Sequence, residues 1–86
     1  HPQAQNNIGV IFWNLKAYDR ADIEFNKAFQ MQKDLPEIHQ NLAALYLRTS
    51  RYQKAIPHLK QLLKFQPQNK NAQKLLDHAL AQKGLS

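Results

Sequence analysis

Apolar residues recur along this chain at three- and four-residue spacing, which is the period of an amphipathic α-helix. This spacing divides the chain into five segments, separated by polar or helix-ending residues. The first segment runs from about Gln3 to Leu15, and the fifth follows Asn69, a suitable helix cap, and ends at Gly84. No segment alternates apolar and polar residues as a half-buried strand does. The pattern predicts an all-α chain of five helices.

Local signals refine the third, fourth and fifth helices. Asp34 and Glu37 have the spacing of a capping box ahead of the third helix. The fourth helix follows a second such pair, Ser50 and Gln53. Pro57 lies inside the fourth helix, and because its missing N–H removes a bond to the first turn, we expect a mild kink rather than a break. The apolar stripe of the fifth helix is predicted to comprise Ala72, Leu75, Leu76, Ala79 and Leu80.

The pattern repeats at an offset of 34 residues. Apart from Ala28 with Leu62, the paired positions match small with small or apolar with apolar: Ile8–Leu42, Gly9–Ala43, Phe12–Tyr46, Tyr18–Tyr52, Ala21–Ala55, Phe25–Leu59, Ala28–Leu62 and Phe29–Leu63. A fixed period of this size is typical of proteins in which each unit buries its apolar face on its neighbour. We expect one domain over residues 1–86, with repeats at 1–34 and 35–68 and a capping helix or half repeat at 69–84. Because the chain begins with His1 rather than Met, it is expected to be a fragment of a longer protein.

Charge is distributed unevenly. Residues 1–47 hold four basic and five acidic side chains, whereas residues 48–86 hold eight basic and one acidic, which gives a net charge of +6. This asymmetry can mark a surface for an acidic partner. The chain has no cysteine, which excludes a disulfide scaffold and a thiolate metal site. No apolar run is long enough to cross a bilayer, so we expect a soluble, cytoplasmic protein.

The repeating unit resembles the tetratricopeptide repeat, whose pattern is Leu-Gly-x-x-Tyr, a later Tyr, Ala-x-x-x-Phe, Ala and a closing Pro. The first unit matches it with Ile8, Gly9, Phe12, Tyr18, Ala21, Phe25 and Ala28. The second unit matches it with Leu42, Ala43, Tyr46, Tyr52, Ala55, Leu59 and Pro67. The departures are Lys33 for proline, Leu62 for alanine, and Gln5 and His39 for an early tryptophan. The resemblance implies a right-handed α-solenoid of antiparallel helix pairs that serves as a protein–protein interaction scaffold.

In this family the first helix of each unit lines a concave groove, and the resemblance implies the same here. The expected partner-binding residues are Asn6, Asn7, Val10, Trp13 and Asn14 from the first helix, Gln40, Asn41, Leu47 and Arg48 from the third, and Lys74 and His78 from the fifth. Amide side chains can bond the backbone of an extended peptide or the flank of a partner helix. Trp13 can supply an apolar anchor. A solvated surface for the asparagines, and helix packing for Trp13, are the alternatives.

Two other functions stay open. The basic residues Arg51, Lys54, Lys60, Lys64 and Lys70 can meet an acidic protein, an anionic membrane surface or nucleic acid, or form a solvated exterior. Nucleic acid is the less expected ligand, because Tyr52 and Phe65 are expected to pack rather than to stack on bases. The outer face of the first helix, with residues such as Trp13 or Ile11, can also pair edge to edge in a homodimer. The identity of the partner stays open.

No combination of residues predicts catalysis. The four histidines are about twenty residues apart, with no two at the spacing of metal ligands on a helix. His39 is expected to be buried in a structural role. There is no cysteine nucleophile, no carboxylate pair in an apolar setting and no glycine-rich phosphate loop. We therefore expect a protein that is no enzyme and that has no cofactor or metal.

Overall fold

A computed structural model describes residues 1–83 of the chain. These residues form α1 (Pro2–Asn14), α2 (Tyr18–Met31), α3 (Pro36–Arg48), α4 (Tyr52–Phe65) and α5 (Lys70–Lys83). The described residues contain no strand, so the predicted all-α chain of five helices is confirmed. The predicted end of the fifth helix at Gly84 lies outside the described residues.

Each helix packs against the next one in the chain. Turns of three or four residues join the helices, so neighbours lie antiparallel. The contacts run in order from α1 with α2 to α4 with α5, and the molecule measures 34 × 25 × 18 Å. This sequential stacking is the predicted α-solenoid, in which α1–α2 and α3–α4 are the repeats and α5 covers the second of them.

Small residues allow the paired helices to approach closely. A Cβ on Gly9 would lie 2.5 Å from Cδ1 of Phe25, whose ring is 1% exposed. Glycine is therefore needed where this ring crosses α1. In the second repeat Ala43 and Leu59 occupy the same two positions, and both are buried. The second repeat thus has alanine where the first has glycine, and a smaller leucine where the first has phenylalanine.

The turns inside the two repeats share one conformation. Lys16 and Ser50, which are 34 residues apart, both have φ of 60°. The backbone amide after each of them bonds to a carbonyl five residues earlier, at 2.9 and 2.7 Å. The 34-residue period therefore extends to one turn residue with a left-handed backbone conformation. Residues other than glycine rarely adopt this conformation.

The helix ends agree with the sequence only in part. The Asn69 side chain accepts a bond from the amide three residues later at 2.9 Å, which confirms it as a cap. The predicted capping boxes are wrong, because α3 and α4 follow Leu35 and Arg51 and neither start has a side-chain cap. Ser50 is committed to the left-handed turn instead. Helix α4 continues through Pro57 without a break, as predicted, whereas Leu80 is 45% exposed and was wrongly placed on the packed stripe of α5.

Candidate partner-binding groove

Two cavities lie side by side against α1, α3 and α5. The first has a volume of about 250 Å³ and is lined by Val10, Trp13, Asn14, Phe25, Asn41 and Ala44. The second has a volume of about 400 Å³ and is lined by Trp13, Ala44, Leu47, Arg48, Leu75 and His78. Because Trp13 and Ala44 line both, the cavities form one continuous depression, which we call the Trp13 groove.

Trp13 is held in place by an aromatic neighbour. Its ring meets Tyr18 edge-on, with 5.4 Å between ring centroids. The Tyr18 hydroxyl accepts a hydrogen bond from Nε of Arg48 at 3.2 Å. This bond raises the pKa of the Arg48 guanidinium, a group that is charged already at its ordinary pKa. The groove thus has an apolar wall on α1 with an oriented cation from α3 beside it.

Two asparagines join α1 to α3 at the groove. The Asn41 amide donates a hydrogen bond to Oδ1 of Asn6 at 3.0 Å. Asn6 is only 3% exposed, so the prediction that it offers its side chain to a partner is wrong. It positions Asn41 instead, and half-buried Asn41 lines the first cavity. Asn7, the repeat equivalent of Asn41, is exposed and lies outside both sets of lining residues.

The groove collects most of the residues that the sequence assigned to it. Those lining a cavity are Val10, Trp13, Asn14, Asn41, Leu47, Arg48 and His78. Those outside both linings are Asn6, Asn7, Gln40 and Lys74. Phe25 is buried in the core, as the repeat pattern predicts, and its position in α2 did not predict that it also lines the groove. The contact of any of these residues with a partner stays a prediction.

The predicted basic patch divides into tethered and exposed residues. Arg51 pairs with Asp22 at 2.9 Å, and its guanidinium lies 4.7 Å from the ring centroid of Tyr46. The ammonium of Lys54 lies 5.8 Å from the same ring. These contacts hold the turn into α4, and α4 itself, against α2 and α3. The Arg51 side chain is 34% exposed, and its role in a basic surface stays a prediction. The exposed members are Lys54, Lys60, Lys64 and Lys70.

Two histidines that the sequence treated separately meet between α3 and α4. Their Nδ1 atoms lie 2.9 Å apart, and Nε2 of His39 lies 2.7 Å from the carbonyl oxygen of Lys33. A carbonyl can only accept, so Nε2 of His39 carries a hydrogen, and in the neutral ring Nδ1 of His39 accepts from His58. His39 is 4% exposed, which confirms its predicted burial. Burial, and then the electrostatic influence of the neighbouring His39, lower the pKa of His58 to about 4.

The described residues offer no metal centre. Within residues 1–83, no three histidine, aspartate or glutamate side chains are grouped so that they could hold a metal ion. The facing nitrogens of His39 and His58 are engaged with each other. Among α1 to α5, no helix is long and apolar enough to cross a membrane.

Comparison with known proteins identifies the repeat. The sequence profile of the tetratricopeptide repeat matches residues 2–35 and again residues 36–69. The anaphase-promoting complex subunit CDC16 of Saccharomyces cerevisiae is 37% identical over 76 residues, which are 88% of this chain and 9% of that protein. Protein O-mannosyl-transferase TMTC3 of Homo sapiens is 36% identical over 61 residues, which are 71% of this chain and 7% of that protein. The chain therefore spans less than a tenth of the length of either relative.

A solved structure shares the fold. The MamA RS-1 ArsTM double mutant superimposes with a TM-score of 0.93 over 98% of this chain and 47% of its own. Its sequence is 24% identical to this one, so the likeness shows the fold alone. The sequence profile and this structural match agree on a helical-repeat solenoid.

Proposed function

The chain belongs to the tetratricopeptide repeat family of protein-binding scaffolds, and we propose that it binds a segment of a partner protein in the Trp13 groove. The observation that carries the proposal is the junction of the two cavities at Trp13. A half-buried aromatic ring with a fixed neighbour is the kind of anchor on which binding energy concentrates. One relative is named as a subunit of a complex, which agrees with a role in assembly.

The lining of the groove favours a partner segment with an apolar residue beside an acidic one. Trp13, Leu47 and Leu75 offer apolar surface in the second cavity, and Arg48 and His78 stand at the same cavity. No acidic side chain belongs to either set of lining residues. A carboxylate on the partner would therefore meet Arg48 without repulsion from the groove.

The amides at the other cavity suit a peptide backbone or a helix flank. Asn14 is exposed and Asn41 is half-buried, and both line the first cavity. The bond from Asn41 to Asn6 fixes the orientation of one of these amides before a partner arrives. Pre-ordered polar groups reduce the entropy lost on binding, which supports specificity at this end of the groove.

The basic surface is the weaker candidate. Arg51 is paired with Asp22, which leaves four exposed lysines on α4 and at the start of α5, one of which, Lys54, lies over the Tyr46 ring. Phe65, which follows Lys64 in the chain, is 38% exposed and has its ring centroid 6.0 Å from that of His39. Nucleic-acid binders add aromatic rings that stack on bases. An acidic protein remains the partner that this surface suits better.

A peptide selected from a random library for binding to the chain tests the proposal. Trp13 is the only tryptophan, so its fluorescence reports on the groove directly in the wild type and in variants that keep it, whereas calorimetry measures binding to Trp13→Ala. We expect Trp13→Ala or Arg48→Gln to weaken binding of the selected peptide by about tenfold or more, and Lys64→Gln, on α4, to change it less than about twofold. Retained affinity in both groove variants, with loss in Lys64→Gln, would move the site to the basic surface.

A further inference from the structure

Tyr18 contacts two residues of the Trp13 groove, although it lines neither cavity itself. Its ring meets Trp13 edge-on at 5.4 Å between centroids, and its hydroxyl accepts a hydrogen bond from Nε of Arg48 at 3.2 Å. Trp13 thus faces the groove, contrary to the expectation that it lies on the outer face of the first helix. The Arg48 guanidinium also lies 5.6 Å from the centre of the Tyr18 ring. One side chain of α2 therefore joins the apolar wall on α1 to the cation on α3.

The bond to Tyr18 leaves one end of the Arg48 guanidinium open. A guanidinium donates from Nε and from both Nη atoms, and Tyr18 accepts only from Nε. Among residues 1–83 no carboxylate pairs with Arg48, whereas Arg51 pairs with Asp22 at 2.9 Å. Both Nη groups of Arg48 can therefore donate to an acceptor that another molecule brings to the groove.

The second repeat lacks this arrangement. Tyr52 is the repeat equivalent of Tyr18, but a leucine and a glutamine stand in place of Trp13 and Arg48. The Tyr52 hydroxyl donates to Oγ of Ser50 at 3.5 Å instead. A tyrosine at this position therefore fits the fold without an arginine on its hydroxyl. The contact with Arg48 belongs to this groove and not to the repeat in general.

We propose that Tyr18 is a positioning residue that makes the Trp13 groove specific for an acidic side chain of the partner, by orienting the Nη groups of Arg48 at the cavity that Trp13 also lines. This inference rests on the proposed function, because it concerns the same groove. A carboxylate accepts from both Nη groups at once. The carboxamide of asparagine or glutamine has one acceptor oxygen and turns its own N–H donors towards the guanidinium.

A role in packing alone makes a different prediction. The Tyr18 ring is half-buried against the core and contacts Trp13 without help from the hydroxyl. Tyr18→Phe keeps this ring and removes only the acceptor for Arg48. Holding a flexible side chain in place before binding reduces the entropy lost on binding. The loss in Tyr18→Phe should therefore fall on acidic partners and spare neutral ones, whereas a packing role would affect both equally.

Calorimetry with matched peptides tests the proposal. The probe is a peptide selected from a random library for binding to the wild-type chain, with its acidic residue kept or replaced by the corresponding amide. We expect the wild type to prefer the acidic peptide by about tenfold, and Tyr18→Phe to prefer it by about threefold or less. Both proteins should bind the amide peptide equally. Tyr52→Phe, the matched control, should retain the full preference.

A double-mutant cycle shows whether Tyr18 acts through Arg48. Arg48→Gln should abolish the preference for the acidic peptide, and adding Tyr18→Phe to that variant should have no further effect. An unchanged preference in Tyr18→Phe, or an equal loss for both peptides, would overturn the inference. Selected peptides without an acidic residue would overturn it too.

Side-chain NMR of the wild type removes any dependence on the folding of the variants. The chain has three arginines, so the Nε–H signal of Arg48 can be assigned by substitution. On addition of the acidic peptide we expect the Nη signals of Arg48 to shift and its Nε–H signal to stay, because Tyr18 keeps its bond to Nε. A large shift of Nε–H with unmoved Nη signals would contradict the proposal.

Trp13→Ala separates this inference from the proposed function. If Trp13→Ala loses binding while Tyr18→Phe keeps the full preference, the groove stands as the binding site and the role of Tyr18 is refuted. If Trp13→Ala and Arg48→Gln both bind as the wild type does, the groove itself is refuted.

Discussion

The facing Nδ1 atoms of His39 and His58, 2.9 Å apart, occupy the same repeat position as the hydrogen bond from Gln5 to Glu24. Each repeat therefore carries one polar pair across its two helices at an otherwise apolar contact. In the second repeat the pair is enclosed by aromatic rings, with Phe29 at 5.5 and 5.2 Å from the two imidazoles. The pair joins α3 to α4, and Phe29 extends the contact to α2.

Acid should weaken the fold through His58. Its pKa is about 4 in the folded chain and 6.5 when unperturbed, so the unfolded chain takes up the proton first. Stability is therefore complete above about pH 6.5, falls between pH 6.5 and pH 4, and falls no further from this group below pH 4. We expect a loss of about 1–2 kcal/mol, less than the full shift would give, because water screens a half-buried ring.

Urea unfolding at several pH values measures this effect. His58→Gln removes the titrating ring while keeping a polar side chain, so its free energy of unfolding should change less than that of the wild type between pH 6.5 and pH 5. This window lies above most carboxylate titration. The cations Lys33, Arg51 and Lys54 contact Phe29 or Tyr46, the rings that pack against His58. Parallel pH profiles for the two proteins would contradict the account.

Gly9→Ala should destabilise the first repeat. The new Cβ would lie 2.5 Å from the buried ring of Phe25, so the ring or the helix has to move. We expect a net loss of about 1–2 kcal/mol, because overpacking outweighs the better helix propensity of alanine. Adding Phe25→Leu recreates the Ala43–Leu59 pair of the second repeat. The double variant should therefore lose less than the two single variants combined in denaturant melts, and simple additivity would show that the two side chains do not compete for space.

Leu76→Asp and Leu80→Asp should separate the covered face of α5 from its open face. Leu76 is 8% exposed in the α4–α5 contact, whereas Leu80 is 45% exposed. A buried unpaired carboxylate costs several kcal/mol, so we expect Leu76→Asp to lower the melting temperature sharply and to unfold the second repeat. We expect Leu80→Asp to change stability by about 0.5 kcal/mol or less. Equal melting temperatures for the two variants would contradict the structure of this end of the chain.

Ser50→Gly should stabilise the chain. Ser50 is exposed with φ of 60°, where glycine avoids the steric cost of a Cβ. We expect a gain of about 0.5 kcal/mol after the greater flexibility of glycine in the unfolded chain is counted. Lys16→Gly should act in the same direction. Gln53→Gly, three residues later inside α4, is the control and should destabilise by about 0.5–1 kcal/mol.

The sequence predicts the repeating parts of this molecule well. Periodic apolar residues set the five helices, and the 34-residue offset identifies the face that each repeat buries, as Leu42 shows. The capping box predicted at Ser50 is wrong because residue spacing does not report the backbone there, which has a left-handed φ, and the box predicted at Asp34 is wrong because α3 follows Leu35. The predicted burial of Leu80 is wrong because periodicity identifies an apolar side chain without showing whether a further helix covers it.

The residues that line the candidate groove could be predicted only where their place in the first helix of a repeat decides which way they face. Trp13 and Arg48 come from equivalent helices and line the groove as expected. Asn6 and Asn7 are neighbours, and the sequence does not show that the first is buried on Asn41 while the second is exposed. The His39–His58 contact depends on the register between two antiparallel helices. The one signal for a polar pair at this contact was that Gln5 and Glu24, which are 34 residues before His39 and His58, are polar as well.

Amide chemical-shift mapping with a peptide selected against the chain tests the central claim most directly. The account predicts that shifts cluster around the Trp13 groove, on Trp13, Asn14, Ala44, Leu47, Arg48 and Leu75. Shifts confined to Lys60, Lys64 and Lys70, with Trp13 and Arg48 unchanged, would contradict it.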